Sequence, residues 1–312
     1  MSNDSQETPV GSSSLESARP LIVVAGARGM LGTDLVRHLE RARFRVTGLH
    51  RPEFDITNSD GVFSCFEDLG PRLVINCAAY TAVDRAEQES DLTFAANRDG
   101  PMHLADACRR LGIPLIHIST DYVFDGTAHQ PYKESDAANP VGVYAESKWE
   151  GEQAIRARWE HHLIVRTAWL FGVKGNNFVK TILRLAKERD EIRVVDDQYG
   201  CPTWTRDLAR ALTAMTSQVL EKGRQIEWGT YHCCGAGQTS WHGFAERIVQ
   251  EGRRRTDLKD VRVVPITTAE YPTPVKRPAW SVLDCSKIER VFKFVPRPWQ
   301  MGLADMLEEL FE

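Results

Sequence analysis

The sequence predicts an α/β fold: a doubly wound, mainly parallel sheet, with a smaller α+β unit towards the C-terminus. Three observations predict it. A short, wholly apolar run, Leu21-Ile-Val-Val-Ala25, passes straight into the glycine turn Gly26-Ala-Arg-Gly29-Met-Leu-Gly32 and then into the helical periodicity of Thr33-Asp-Leu-Val-Arg-His-Leu. Further short apolar runs follow at intervals, at residues 44–49, 72–79 and 114–119. After the apolar Leu163-Ile-Val this pattern gives way to a Gly- and Asn-rich loop and an amphipathic stretch from Val179 to Ala186.

Composition bounds what such a chain can do. Its 312 residues are 42% hydrophobic, enough for one large domain or two smaller ones. The net charge of −4, with no long basic run, argues against nucleic acid as a partner. No apolar run approaches the roughly 20 residues needed to cross a bilayer, so no membrane partner is expected. Residues 1–19 are polar and Ser-rich, without the apolar segment of a secretory signal, and read as a disordered tail or a misassigned start. Seven Cys residues without an extracellular spacing pattern, an odd number, point to reduced thiols and a cytoplasmic location.

Taken in order, the first strand, turn and helix form the context in which a glycine motif carries weight. Gly26, Gly29 and Gly32 permit a tight turn and let backbone N–H groups, with Met30 and Leu31 at the helix start, approach a pyrophosphate. The second strand, Phe44-Arg-Val-Thr-Gly-Leu, ends near Arg51, with Asp55 and Ile56 beyond it near the adenine. An acidic residue at this strand end would take the ribose 2′-hydroxyl of NAD, whereas an arginine suits the 2′-phosphate of NADP. Arg51 therefore favours NADPH, with NADH left open. The third run, Arg72-Leu-Val-Ile-Asn-Cys-Ala-Ala79, ends in small residues that let a cofactor ring lie against the backbone at Ala78 and Ala79. A loop with Thr81 follows, and residues 94–111, including Asn97, carry an amphipathic helix pattern.

The next strand, Pro114-Leu-Ile-His-Ile-Ser, turns polar at Thr120 and Asp121. Beyond it, Tyr144-Ala-Glu-Ser-Lys148 begins a helix, and the i, i+4 spacing sets the phenol beside the ammonium. A cation roughly 5–6 Å away would stabilise a phenolate by about 3 kcal/mol at an effective dielectric near 20, lowering the Tyr pKa by about two units. Tyr144, Lys148 and the Thr120 hydroxyl are thus the equipment for protonating a carbonyl oxygen while hydride reaches its carbon. The second half fits a substrate domain, which needs cationic and polar groups and flat apolar surface for its ligand. Lys276, Arg277, Asn177 and Trp169 are the candidates, with Trp204 and Trp280 behind them. His232-Cys233-Cys234 with His242 offers soft ligands, but adjacent residues of a strand face opposite ways, so no zinc site is expected. The acidic end, residues 308–312, reads as a helix terminus.

These segments resemble the extended short-chain dehydrogenases/reductases with a Rossmann-type fold, and more narrowly the dTDP-4-dehydrorhamnose reductase family. The matching stretches are Gly26 to Gly32, Asn76 to Asp84, Ser119 to Gly126, Tyr144 to Lys148, Arg166 to Gly172, Gly175 to Phe178, Asp197 to Thr203 and Arg277-Pro278. The resemblance implies a catalytic set of Thr120, Tyr144 and Lys148, with Asp121 and Trp169 beside the sugar and Asn177 and Arg277 among the substrate contacts. It implies a cofactor site at Gly29, Met30, Leu31, Asp55, Ile56, Ala78, Ala79 and Thr81, which Tyr144 and Lys148 also touch. It further implies a homodimer and a divalent metal such as magnesium at the dimer interface, whose ligands the sequence does not locate. The chain departs from the family at Tyr80, Ala168 and Cys201, which bears on fine substrate discrimination.

The expected organisation is a tail over 1–19, a dinucleotide-binding unit over 20–170 that also receives roughly 192–228, and a mainly substrate-binding remainder over 171–312, interleaved with it. The expected reaction is reduction of the C4 keto group of a dTDP-linked 4-keto-6-deoxy sugar, in synthesis of cell-surface polysaccharide. Two other readings stay open. An epimerase or dehydratase for nucleotide sugars would share Tyr144 and Lys148, and a regulatory subunit of the methionine adenosyltransferase type would share the fold without the chemistry.

Overall fold

The computed structural model describes residues 19–312. Apart from Arg19, the tail expected over residues 1–19 lies outside the described residues.

The glycine-rich start folds as its pattern requires. Strand β1 (Leu21–Ala25) is buried throughout and leads through the turn into helix α1 (Met30–Arg41). β2 (Arg45–Leu49), α2 (Ser59–Leu69) and β3 (Leu73–Asn76) follow. After two short helical turns at Val83–Ala86 and Ser90–Phe94 the chain enters α3 (Gly100–Leu111), then β4 (Leu115–Thr120), α4 (Val143–Arg158) and β5 (His162–Thr167).

The continuous helix expected over 94–111 is interrupted. Ala95–Asp99 forms a π-turn. Pro101 has no N–H to close an α-helical bond to the Asn97 carbonyl. At Gly151 of α4 an added Cβ would stand 2.0 Å from that same carbonyl, so the two helices cross in close contact here.

The remainder of the chain moves back and forth. β6 (Leu170–Phe171), α5 (Phe178–Glu188), β7 (Glu191–Val195), β8 (Tyr199–Gly200) and β9 (Thr203–Trp204) lead to the long helix α6 (Thr205–Lys222). Then come β10 (Gly229–His232), β11 (Thr239–Ser240), α7 (Trp241–Gly252), β12 (Arg262–Ile266), α8 (Ser286–Phe292) and α9 (Trp299–Phe311).

Six strands form one parallel sheet in the order β10-β5-β4-β3-β1-β2. The fold is therefore the doubly wound α/β class, with the connection reversing direction between β1 and β3. Ligands bind outside the carboxyl ends of strands at such a reversal. One core lies on the α1 side, where Leu31, Leu35 and Leu39 pack against Leu208, Leu212 and Met215 of α6 and Ile288 and Phe292 of α8. Another lies on the opposite face, with Phe66, Leu104 and Ile155. A third, separate core joins α5, α7 and α9 through Ile182, Phe244, Ile248, Trp299, Leu303 and Met306, beside the small parallel pair β7–β12. Residues 191–195 thus lie with this third core, while α6 and β10 return to the main sheet.

Candidate active site

The turn after β1 is built by contact geometry. Gly26 has φ +77°, and a Cβ there would stand 2.6 Å from the Ala78 nitrogen. A Cβ on Gly32 would stand 2.2 Å from the Gly26 carbonyl oxygen, so helix and turn close only on glycine. The Gly29 N–H donates to Gly26 O at 3.0 Å, and Gly29 caps α1 without any side-chain hydrogen bond. The first N–H groups of the helix, at Met30 and Leu31, are thereby open to an anion.

Two hollows flank this turn. The outer one, about 200 Å³, is lined by Gly26, Arg28, Gly29, Arg51, Phe54, Asp55, Ile56, Ala78 and Ala79. Arg28 and Arg51 are exposed at its rim, and Asp55 Oδ1 accepts from the backbone N–H and the hydroxyl of Thr57, each at 2.9 Å. Two guanidinium groups beside an apolar slot suit a phosphorylated adenosine. Arg28 was not among the residues expected from sequence, although its place inside the glycine motif was signal enough. The inner hollow, about 380 Å³, runs from Gly29, Met30, Leu31 and Gly32 past Ala79 and Thr81 to Thr120, Asp121, Tyr144, Lys148 and Trp169. The residues expected to be catalytic and those expected to hold the cofactor therefore meet along one cleft.

The electrostatics at its inner end differ from the sequence expectation in one respect. Lys148 was expected to lower the Tyr144 pKa by about two units. In the structure burial pushes the Tyr144 phenol up, with the neighbouring Thr120 hydroxyl pulling only partly back. The Lys148 amino group is directed elsewhere: Nζ donates to the Ile118 carbonyl at 2.7 Å and lies 3.2 Å from His117 Nε2. Burial also brings Lys148 down to about 8. Asp121 is buried, with Oδ1 accepting from Thr120 at 3.1 Å and Oδ2 unpartnered, and burial raises its pKa to about 6.

Behind the cleft lies a buried polar network absent from the sequence expectation. Glu152 on α4 accepts from Arg166 Nε and Nη2 of β5 at 2.9 and 2.8 Å, from Arg156 at 2.7 Å and from Ser119 at 2.5 Å. Burial pushes its pKa up, but Arg166, Arg156 and Ser119 together outweigh that and the net direction is down. Asn97, aimed by the π-turn, donates to the Tyr80 carbonyl and to Ser147, and accepts from the Tyr80 N–H at 2.8 Å. It fixes the loop carrying Thr81 to the helix carrying Tyr144. The signal available in sequence was Arg166 within the apolar run Leu-Ile-Val-Arg-Thr, since a charge in a buried strand demands a partner.

On the sugar side a third hollow, about 510 Å³, is lined by Asp84, Tyr122, Phe178, Arg193, Gln198, Trp241, Tyr271 and Arg277. Arg277 Nη2 donates to Asp84 Oδ1 at 2.7 Å, and its guanidinium lies 6.0 Å from the Tyr122 ring centroid. Trp169, at φ +46°, stacks on Trp241 with centroids 3.5 Å apart and planes 5° apart. This indole pair divides the inner hollow from the third, and Trp241 was not foreseen. Asn177 caps α5 and donates to the Gly172 carbonyl at 2.7 Å, holding the 172–177 loop over Met30. Lys276 is exposed, Trp204 is buried in the core of α5, α7 and α9, and Trp280 donates to the Gln130 carbonyl. His232 and the thiols of Cys233 and Cys234 are buried, with Cys234 Sγ 3.5 Å from Cys285 Sγ. Among the described residues no group of three or more His, Cys, Asp and Glu side chains is arranged to hold a metal ion.

Comparison with known proteins places this geometry. Residues 20–311 match the family model described as the RmlD substrate binding domain. The dTDP-4-dehydrorhamnose reductase of Aggregatibacter actinomycetemcomitans is 43% identical over 287 residues, covering 91% of this chain and 97% of that protein. A crystal structure of a dTDP-4-dehydrorhamnose reductase from Clostridium acetobutylicum, 41% identical, superposes with a TM-score of 0.86 over 93% of this chain and 99% of that one. The dTDP-4-dehydrorhamnose reductase of Bacillus anthracis, solved in complex with NADP, is 36% identical with a TM-score of 0.85, over 93% and 99% of the two chains. The chain belongs to the RmlD substrate binding domain family and groups within it with the dTDP-4-dehydrorhamnose reductases.

Proposed function

We propose that this protein is an NADPH-dependent reductase that converts dTDP-4-dehydro-6-deoxy-L-mannose to dTDP-L-rhamnose. One observation carries the reading beyond family membership. Thr120, Tyr144 and Lys148 line the inner end of a cleft whose outer end carries Arg28 and Arg51, with the Arg277 hollow across the Trp169–Trp241 pair.

When bound, NADPH supplies the hydride that reaches C4 of the sugar. The chain's own residues do the rest. Thr120 holds the C4 oxygen beside the Tyr144 hydroxyl, and Tyr144, kept protonated at neutral pH by its burial, gives that oxygen its proton. Lys148 holds the nicotinamide ribose and stabilises the phenolate that remains. The first turn of α1 binds the pyrophosphate, Asp55 and Ile56 bracket the adenosine, and Arg28 and Arg51 take the 2′-phosphate, favouring NADPH over NADH. Ala78, Ala79 and Thr81 would line the nicotinamide side. Asp121 and Trp169 face the sugar, Arg277 takes the charged linker, and Asn177 holds the covering loop. A homodimer in the cytoplasm is part of the same reading, supported by the family resemblance and by the use of a nucleotide sugar. Among the described residues no helix is long and apolar enough to cross a membrane.

The test is nicotinamide absorbance with NADPH and dTDP-4-dehydro-6-deoxy-L-mannose, wild type beside Tyr144→Phe. Oxidation in the wild type that falls at least ~100-fold in the variant supports the reductase and its acid together. No oxidation with either cofactor overturns the assignment and turns attention to retained NAD or a protein partner.

A further inference from the structure

The head group of Lys148 meets a ring of fixed polarity. His117 is fully buried on β4, with Nε2 3.2 Å from Lys148 Nζ and Nδ1 3.0 Å from Asn76 Nδ2. The polarity of this chain is set at its far end. The backbone N–H of Ala78 is a donor by constitution, and it donates to Asn76 Oδ1 at 3.0 Å. The amide is therefore oriented with its NH₂ towards His117. A ring nitrogen facing a donor must be the bare acceptor, so the neutral imidazole carries its proton on Nε2. That proton points at Lys148. An ammonium has three donors and no acceptor, whereas a free amine accepts through its lone pair and still donates to the Ile118 carbonyl at 2.7 Å.

We infer that His117, locked in its Nε2–H tautomer by Asn76, is a positioning residue that holds Lys148 as a free amine in the cofactor-free protein. Burial keeps His117 itself neutral. Burial brings Lys148 down to about 8 against the pull of Glu152 and Cys77, and the opposing Nε2–H carries it further down. The other titratable groups facing the pair act weakly or against it. Cys77 at the end of β3 is pushed up to about 12 by burial and stays neutral. On α4, Tyr144 one turn back is also neutral. Glu152 one turn on favours the ammonium but is committed to Arg166 and Arg156. His162 on β5 and Arg156 face His117 and favour its neutral form.

The consequence, which rests on the reductase reading, is a charge-neutral proton cycle. One proton passes from Tyr144 to the substrate oxygen while Lys148 takes one from solvent, so the pair goes from phenol and amine to phenolate and ammonium with no net change in charge. Transfer of the lysine proton to the phenolate restores both, and one solvent proton is consumed per turnover, as reduction of a ketone by hydride requires. A buried site penalises net charge heavily, and the Tyr144–Lys148 pair itself adds none.

The experiment is NMR titration of protein labelled with ¹³C at lysine Cε, without substrate, with the Lys148 signal identified by its loss in Lys148→Met. Wild-type Lys148 is expected to titrate at or below about 8, against about 10.4 for a free lysine. Asn76→Asp, whose carboxylate demands Nδ1–H and so reverses the chain, is expected to raise the midpoint by about one unit or more. Should it fail to fold, His117→Gln decides, because its amide can turn an oxygen to the ammonium; the rise should exceed that in His117→Leu, which loosens the same packing without an acceptor, and an equal rise in both overturns the lock. A wild-type midpoint near 10, or the same midpoint in wild type and a folded variant, overturns the lock. A failed reductase assignment would appear separately, as a low Lys148 midpoint in a protein that oxidises no cofactor.

Discussion

Asp121 sits two residues beyond Ser119 in a buried part of the cleft, and its carboxylate is costly to keep there. Burial raises its pKa from 3.8 to about 6, and Oδ2 has no hydrogen-bond partner. Because the folded-state value lies above the unfolded one, the relative stabilisation is complete below about pH 4 and is lost as pH rises through 6. At pH 8 the ionised group costs at most about 3 kcal/mol. Asp121→Asn is therefore expected to raise the urea midpoint at pH 8 and to change it little at pH 4, while reducing turnover if this side chain faces the sugar. An equal gain at both pH values would show that the stabilisation has another cause. The sequence marked Asp121 through its place in the Ser-Thr-Asp-Tyr run, yet its ionisation was not legible there. Desolvation depends on what closes over a residue, and Asp121 is closed over by segments far along the chain. The same holds for Tyr144, whose i, i+4 lysine suggested a lowered pKa while burial raises it.

Elements were legible to the extent that their physics is local. The β1–turn–α1 unit could be read because Gly26 and Gly32 answer to contacts within a few residues and to a single crossing strand. The π-turn at Ala95–Asp99 was not legible, since it depends on the meeting of Asn97 with Gly151, more than fifty residues on. Nor was the tie between α4 and β5, where Glu152 and Arg166 form a fully buried pair. That tie gives the element-scale prediction. Removing one member strands a buried guanidinium, so Glu152→Gln is expected to cost roughly 3–5 kcal/mol. Replacing both by apolar residues of similar volume, Glu152→Leu with Arg166→Met, removes the stranded charge and should recover much of that loss, although Arg156 and Ser119 lose a partner too. Chemical denaturation of the three proteins measures it. A double variant less stable than Glu152→Gln would mean that the pair contributes net stability beyond satisfying its own charges.

At the scale of the whole molecule, the chain passes repeatedly between the main sheet and the core of α5, α7 and α9, and the third hollow lies where the two meet. One side comes from the loops around Asp84 and Tyr122, the other from α5, β7 and Trp241, with Arg277 reaching across to Asp84. A ligand filling this hollow touches both parts and should bind only their assembled form. On the proposed reading NADPH contacts the first half alone and dTDP-L-rhamnose spans the junction, so each should raise the thermal midpoint independently. Each contributes about 2.7 kcal/mol when present at a hundred times its dissociation constant, or several degrees for a protein of this size. Arg277→Ala separates the two effects. It breaks a partly exposed ion pair worth about 1 kcal/mol or less, so the starting midpoint should change little. The shift with NADPH should persist, and the shift with dTDP-L-rhamnose should shrink, because a charge-assisted contact to the sugar nucleotide is lost. A variant that keeps the whole dTDP-L-rhamnose shift would place the substrate elsewhere, whereas one that loses both shifts would show that Arg277 supports the fold of the first half itself rather than the ligand.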